Sequence, residues 1–169
     1  MLIERRHEGR GRVSRAVYSP CGGYRYLLER RWGSGPVLAY VMLNPSVATE
    51  LANDPTIERC ERRARMLGHG GFAVVNLFAW RATRPADLAR ADRPVGPEND
   101  RVIREVAAGA GAVLCAWGVH GALHGREAEV RALLAGCGRP LFHLGLTAGG
   151  APRHPLYVPY ARQPEAWAP

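Results

Sequence analysis

The chain has 169 residues, 47% of them apolar, and a formal net charge of +8. That length holds one core and not two, and that apolar share excludes wholesale disorder. All 23 basic residues are arginine, which excludes a Schiff base, a lysine nucleophile and a P-loop phosphate lysine, while arginine forks keep phosphate and nucleic-acid binding open.

The charge is uneven. Residues 1–31 hold eight arginines against Glu4, Glu8 and Glu29, which is +5 of the +8. The cysteines at 21, 60, 115 and 137 form no CxxC pair, so spacing supports neither a zinc nor an iron–sulfur framework. The chain reads as a reduced, cytoplasmic protein with no metal and no organic cofactor. The longest apolar run, residues 36–43, is too short to cross a bilayer, and no apolar segment follows the charged start as in a secretory signal.

Residues 1–12 are taken as a flexible lead. Residues 13–18 and 24–32 alternate around Ser-Pro-Cys-Gly-Gly, which predicts a β-hairpin. The run PVLAYVML at 36–43 predicts a strand buried on both faces, ending at Asn44-Pro45-Ser46. Asp54-Pro55 opens a helix, with Asp as cap and Pro in the first turn. Its face of Ile57, Cys60, Ala64 and Leu67 is apolar, and its arginines at 59, 62, 63 and 65 read as a solvated face.

A second buried strand is expected at 72–78, then a polar loop and short helix to 92, and a helix from Gly96-Pro97. A strand at 112–117, a helix near 122–136 and a strand at 140–146 follow, with a Gly- and Pro-rich ordered tail from 147. His120 and His124 are four apart but lack a third metal ligand in the sequence pattern. The alternation predicts one α/β domain over residues 1–169. Its expected form is three-layered, with a mostly parallel central sheet, helices on both faces and the N-terminal hairpin at the edge.

In such sheets ligands sit at the carboxyl ends of the strands. Those ends carry Asn44, Pro45 and Ser46; Asn76, with Arg81 and Arg84 just beyond; Trp117 and Gly118; and, in the tail, Arg153, His154 and Tyr157. Asn76 interrupts an apolar strand, and a buried Asn needs partners. Arg81, Arg84 and Arg153 are candidates for phosphate contact. Asp54 reads first as a helix cap and second as a general base.

The strings MLNPS, NDPTIERC, NLFAWRAT, WG and HPLY resemble an uncharacterised bacterial domain family of unknown function, a resemblance that covers about residues 13–160. More distantly, their order is similar to that of the uracil-DNA glycosylase superfamily. That resemblance implies a DNA glycosylase-like hydrolase of N-glycosidic bonds. Asn44 corresponds to the residue that positions the hydrolytic water, Asn76 to the Asn that reads the base edge, and His154-Pro155 to the segment whose His stabilises the departing base. Pro45, Ser46, Trp117, Gly118 and Tyr157 complete the implied substrate contacts. Leu156 stands where that family has Ser, and Ser46 where its strict uracil enzymes have an aromatic. The implied partner is nucleic acid, in the first place DNA, or a nucleotide. Two other readings remain: a non-catalytic nucleic-acid or nucleotide binding module, and a small-molecule hydrolase built on Asp54 and His154.

Overall fold

A computed structural model describes residues 1–168. The strands are β1 (Ile3–Gly9), β2 (Arg12–Tyr18), β3 (Arg25–Arg31), β4 (Val37–Met42), β5 (Gly71–Asn76), β6 (Ala112–Cys115), β7 (Leu141–His143) and β8 (Glu165–Ala166). The helices are α1 (Pro55–Met66), α2 (Pro85–Arg90), α3 (Asn99–Gly109) and α4 (Arg126–Ala135), with 3₁₀ turns at Val119–Gly125 and Pro155–Tyr157.

All eight strands form one sheet in the order β1-β2-β3-β5-β4-β6-β7-β8. The sheet is mixed, which corrects the mostly parallel three-layer arrangement expected from the alternation. Only the pairs β5–β4, β4–β6 and β6–β7 are parallel; β1–β2, β2–β3, β3–β5 and β7–β8 are antiparallel. The N-terminal half is therefore an antiparallel meander joined to the centre of the sheet, not a hairpin appended to its edge. The residues taken as a flexible lead contain β1, which pairs with β2 from Ile3↔Tyr18 to Gly9↔Arg12. Nearly every β1 side chain is exposed, so the strand has no hydropathy pattern to betray it. Its order comes from backbone pairing, joined by the Glu4–Arg15 ion pair and by Arg5 over the Tyr18 ring, and its charges suit an edge.

The central strands β4 and β5 are buried at every residue. On one sheet face α3 and α4 supply Val102, Ile103, Ala107, Val130 and Leu134 to a core with Ala39, Val41, Ala73 and Val75. On the other, α1 supplies Ile57, Cys60 and Ala64 against Leu28, Tyr40, Phe72 and Val74. Helix α1 begins where its signals place it: Asp54 Oδ1 accepts the Ile57 N–H at 2.9 Å, with Pro55 opening the first turn.

Two of the four α1 arginines depart from the solvated face expected of them, while Arg62 and Arg65 are exposed. Arg63 is buried and donates to the carbonyls of Val158, Pro159 and Arg162, and Arg59 donates to those of Pro155 and Val158. Arg65 lies 3.9 Å from the centre of the Trp32 ring. Two arginines of one helix thus staple the tail across α1. No helix among the described residues is long and apolar enough to cross a membrane.

Candidate functional site

A cleft of about 780 Å³ opens at the carboxyl ends of β4, β5 and β6, on the sheet face that α1 covers. Its walls are the loop after β4, the first turn of α1, the turn after β6 and the tail loop around His154. The cleft gathers Asn44, Ser46, Asp54, Asn76, Trp117, Gly118, Arg153, His154 and Tyr157 from five separated stretches of chain. Pro45, Arg81 and Arg84 are not among its lining residues. Arg81 instead donates to the Gly22 carbonyl and lies 5.5 Å from the Tyr18 ring centre, and Arg84 pairs with Asp87 in the exposed start of α2. The Pro45 carbonyl accepts from Ala82 N–H and so ties the two strand-end loops together.

Asn76 ends β5 and is 1% exposed. Neither its Oδ1 nor its Nδ2 finds a hydrogen-bond partner within the protein. A buried amide left unpaired costs about 1–3 kcal/mol, so its retention calls for a reason. Its backbone is held from the opposite face. Asn99, the first residue of α3, donates from Nδ2 to the carbonyls of both Asn76 and Leu77, and Arg126 Nε donates to the Leu77 carbonyl at 2.7 Å. Arg126 is in turn paired with Asp100 and Glu129. The Asn76 amide therefore projects from a rigid strand end, offering one acceptor and two donors in a plane.

Asn44 sits across the same end of the sheet. Its Nδ2 donates to the carbonyls of Ala82 at 2.7 Å and Pro45 at 3.1 Å. Two carbonyl acceptors around the nitrogen fix the orientation of the amide and leave Oδ1 as its free acceptor. That oxygen can hold a water by its proton, but a neutral amide cannot take the proton away.

His154 Nδ1 accepts the Leu156 N–H at 3.3 Å. The neutral ring then carries its proton on Nε2 as a donor. Burial pushes its pKa below the usual histidine value, against an opposing pull from the Asp54 carboxylate. The ring is thus a neutral donor at physiological pH. Asp54 has one oxygen committed to the helix cap. Gly118 has φ +75°, in the left-handed region, and its N–H donates to the Pro152 carbonyl, which draws the tail loop onto the β6 end. The Trp117 ring is buried, with Nε1 donating to Glu127 and Trp167 at 5.6 Å between ring centres. Its place at the cleft is structural. Tyr157 stands 84% exposed at the rim.

Sequence reasoning missed two sets of residues. Arg25 and Thr56 line the cleft, and so does His120. The positioning pair, Asn99 and Arg126, carries no motif in the sequence that marks it. One signal pointed to Arg25: an arginine between two tyrosines at the start of a strand whose neighbours are apolar. His124 packs edge-on against Phe78 and lies outside the cleft lining, apart from His120. Among the described residues, no group of three or more His, Cys, Asp or Glu is arranged to hold a metal ion.

The model of a family described as "Protein of unknown function (DUF1643)" matches residues 25–156. The matched span contains every cleft residue named above except Tyr157. No curated protein and no solved structure matches the chain. The resemblance to the uracil-DNA glycosylase superfamily has no counterpart in these comparisons.

Proposed function

The chain belongs to the DUF1643 family, and we propose that it binds a nucleobase, as a free nucleotide or within nucleic acid, in the cleft at the strand ends, and hydrolyses its N-glycosidic bond. The observation that carries this reading is Asn76. A buried planar amide with all its hydrogen-bonding capacity unspent matches a base edge that presents a carbonyl beside an N–H.

The chemistry follows from the neighbouring groups. Cleavage of an N-glycosidic bond puts positive charge on the sugar and negative charge on the departing base. The His154 Nε2–H, neutral and partly buried, donates to a base oxygen as that charge develops. Asn44 Oδ1 orients the attacking water. The attacking water's proton has no strong base at Asn44, so the expected enzyme is slow, with Asp54 the nearest carboxylate in the lining. With no lysine in the chain, a Schiff base on a lysine side chain is excluded, and this reading takes water as the nucleophile.

The test is incubation with free nucleotides and with single- and double-stranded DNA carrying uracil, hypoxanthine, mismatched thymine or bulky modified bases, scored for released base and abasic sites. His154→Ala and Asn44→Ala are each expected to lower the rate by about 10²–10³-fold. Equal release by wild type and both variants overturns the catalytic assignment. One observation favours a second reading: the residue placed to hold the water is a neutral amide whose nitrogen is locked to the backbone. Base-dependent binding with no release by the wild type identifies a non-catalytic binding module.

A further inference from the structure

Four arginines are fully buried, and three of them each make three or more side-chain hydrogen bonds, although Arg63 Nε, like Arg25 Nε, is left without a partner. Arg126 meets two carboxylates and a carbonyl. Arg30 donates to Thr49 O, Ala52 O and Asn53 Oδ1, and Arg63 to three tail carbonyls. Arg25 is the exception. It is 2% exposed, its one hydrogen bond runs from Nη1 to the Ala48 carbonyl at 2.6 Å, and its Nε has no partner. Among the described residues no carboxylate lies within ion-pair distance of it. Of these four arginines, it alone lines the cleft.

Its position is built by a strand irregularity. Across β2–β3, Val17 faces Leu27 but Tyr18 faces Arg25, so Tyr26 is an extra residue and the strand bulges there. The bulge turns Arg25 onto the sheet face shared by Tyr18 and Met42, the face covered by α1. Residue 25 continues β3 past its pairing with β5, through a bond from Arg25 N–H to the Ala79 carbonyl. The guanidinium therefore approaches the cleft from the strand next to the one that carries Asn76.

We propose that the cleft has an anion subsite at Arg25, and that its ligand is a nucleotide with a terminal phosphomonoester. This rests on the reading of Asn76 as a base-binding residue. A guanidinium held away from solvent, with four of its five N–H groups unspent, needs an acceptor of several oxygens and negative charge. A phosphate supplies both. The lining supports the sign. Arg25 and Arg153 are opposed by Asp54 alone, with His120, His154 and Tyr157 as the other titratable groups there. The Thr56 N–H and hydroxyl, in the first turn of α1, add donors on the same wall. A phosphodiester within a strand stays at the surface, because the chain leaves it on two sides. A phosphomonoester is a chain end and can enter.

The experiment is equilibrium binding by calorimetry on the full chain. The probes are uridine, thymidine, inosine, adenosine, guanosine and cytidine, each beside its 5′-monophosphate, with inorganic phosphate as a control. For at least one base the monophosphate is expected to bind about 10- to 100-fold tighter than its nucleoside. Arg25→Gln is expected to erase that difference and Arg25→Lys to keep part of it. Equal affinity of the wild type for nucleoside and monophosphate overturns the subsite, and needs no variant to fold. Asn76→Ala separates the two assignments. If it abolishes base preference while nucleoside and monophosphate bind the wild type alike, the base reading stands and the anion subsite falls. If Asn76→Ala changes nothing, the base reading falls. No binding of any probe overturns both. A short oligonucleotide with and without a 5′-phosphate then distinguishes the source: tighter binding than the free monophosphate assigns a strand end, and weaker binding a free nucleotide.

Discussion

Asn76 and His154 keep an unfavourable state in the free protein, and each does so measurably. The amide of Asn76 is buried with no partner. Leu has the same branched skeleton of heavy atoms and no polar atom, so Asn76→Leu, at the edge of an open cleft, is expected to raise unfolding free energy by about 1–3 kcal/mol while eliminating base binding. Urea unfolding of the two proteins measures it, and a loss of stability means that the amide is satisfied. His154 gives a pH signature. Burial lowers its folded pKa below the ordinary 6.5, Asp54 pulling weakly the other way. The unfolded chain therefore binds the proton first as pH falls. The His154 contribution to stability is full above pH 6.5, declines below it, and levels off under the folded pKa. His154→Gln lacks this decline, so the difference between the two proteins in urea melts across pH 5–8 reports it.

At the scale of elements, α1 does two things that its sequence shows only in part. Its start was legible: Asp-Pro after a loop, with the cap bonding the Ile57 N–H, and an apolar face that meets the sheet. The roles of Arg59 and Arg63 were not, because a periodic basic face looks the same whether it meets water or carbonyls. Arg63 satisfies three backbone oxygens of the tail and Arg59 two. Arg63→Leu is expected to cost at least about 2 kcal/mol, since those carbonyls lose their donors. Amide exchange should quicken from residue 155 to 162 ahead of the rest of the chain. Exchange that changes evenly over the whole protein contradicts the staple. Since His154 leads into this segment, the same variant should also weaken base release.

The whole molecule carries +8, yet its charge is mostly local. Arg6, Arg15, Arg31, Arg62, Arg84 and Arg101 pair with nearby carboxylates at the surface, and the buried arginines bind carbonyls. The concentration of charge in residues 1–31 reflects the meander, where Glu4 and Glu29 each pair two arginines. A cleft that takes one terminal phosphate predicts a shallow salt dependence, with log affinity falling against log salt at a slope near −1. A slope of about −5 or steeper in a titration with single-stranded DNA means that a surface track of arginines carries the binding instead.

Local signals in the chain were enough to place β2 to β7, the cap of α1 and the strand-end residues Asn44, Asn76 and Gly118, since burial on both faces, capping and turn chemistry are written over a few neighbouring residues. Strand order and direction were not, because the insertion of β5 between β3 and β4 depends on which edges meet. Strand β1 was invisible for the opposite reason: it buries almost nothing, and its order lies mainly in backbone pairing. Only the tertiary structure decided that those residues, from five stretches, share one cleft. Only it set Arg25 there, because a one-residue bulge changes the face of a side chain without changing the pattern of residue types around it.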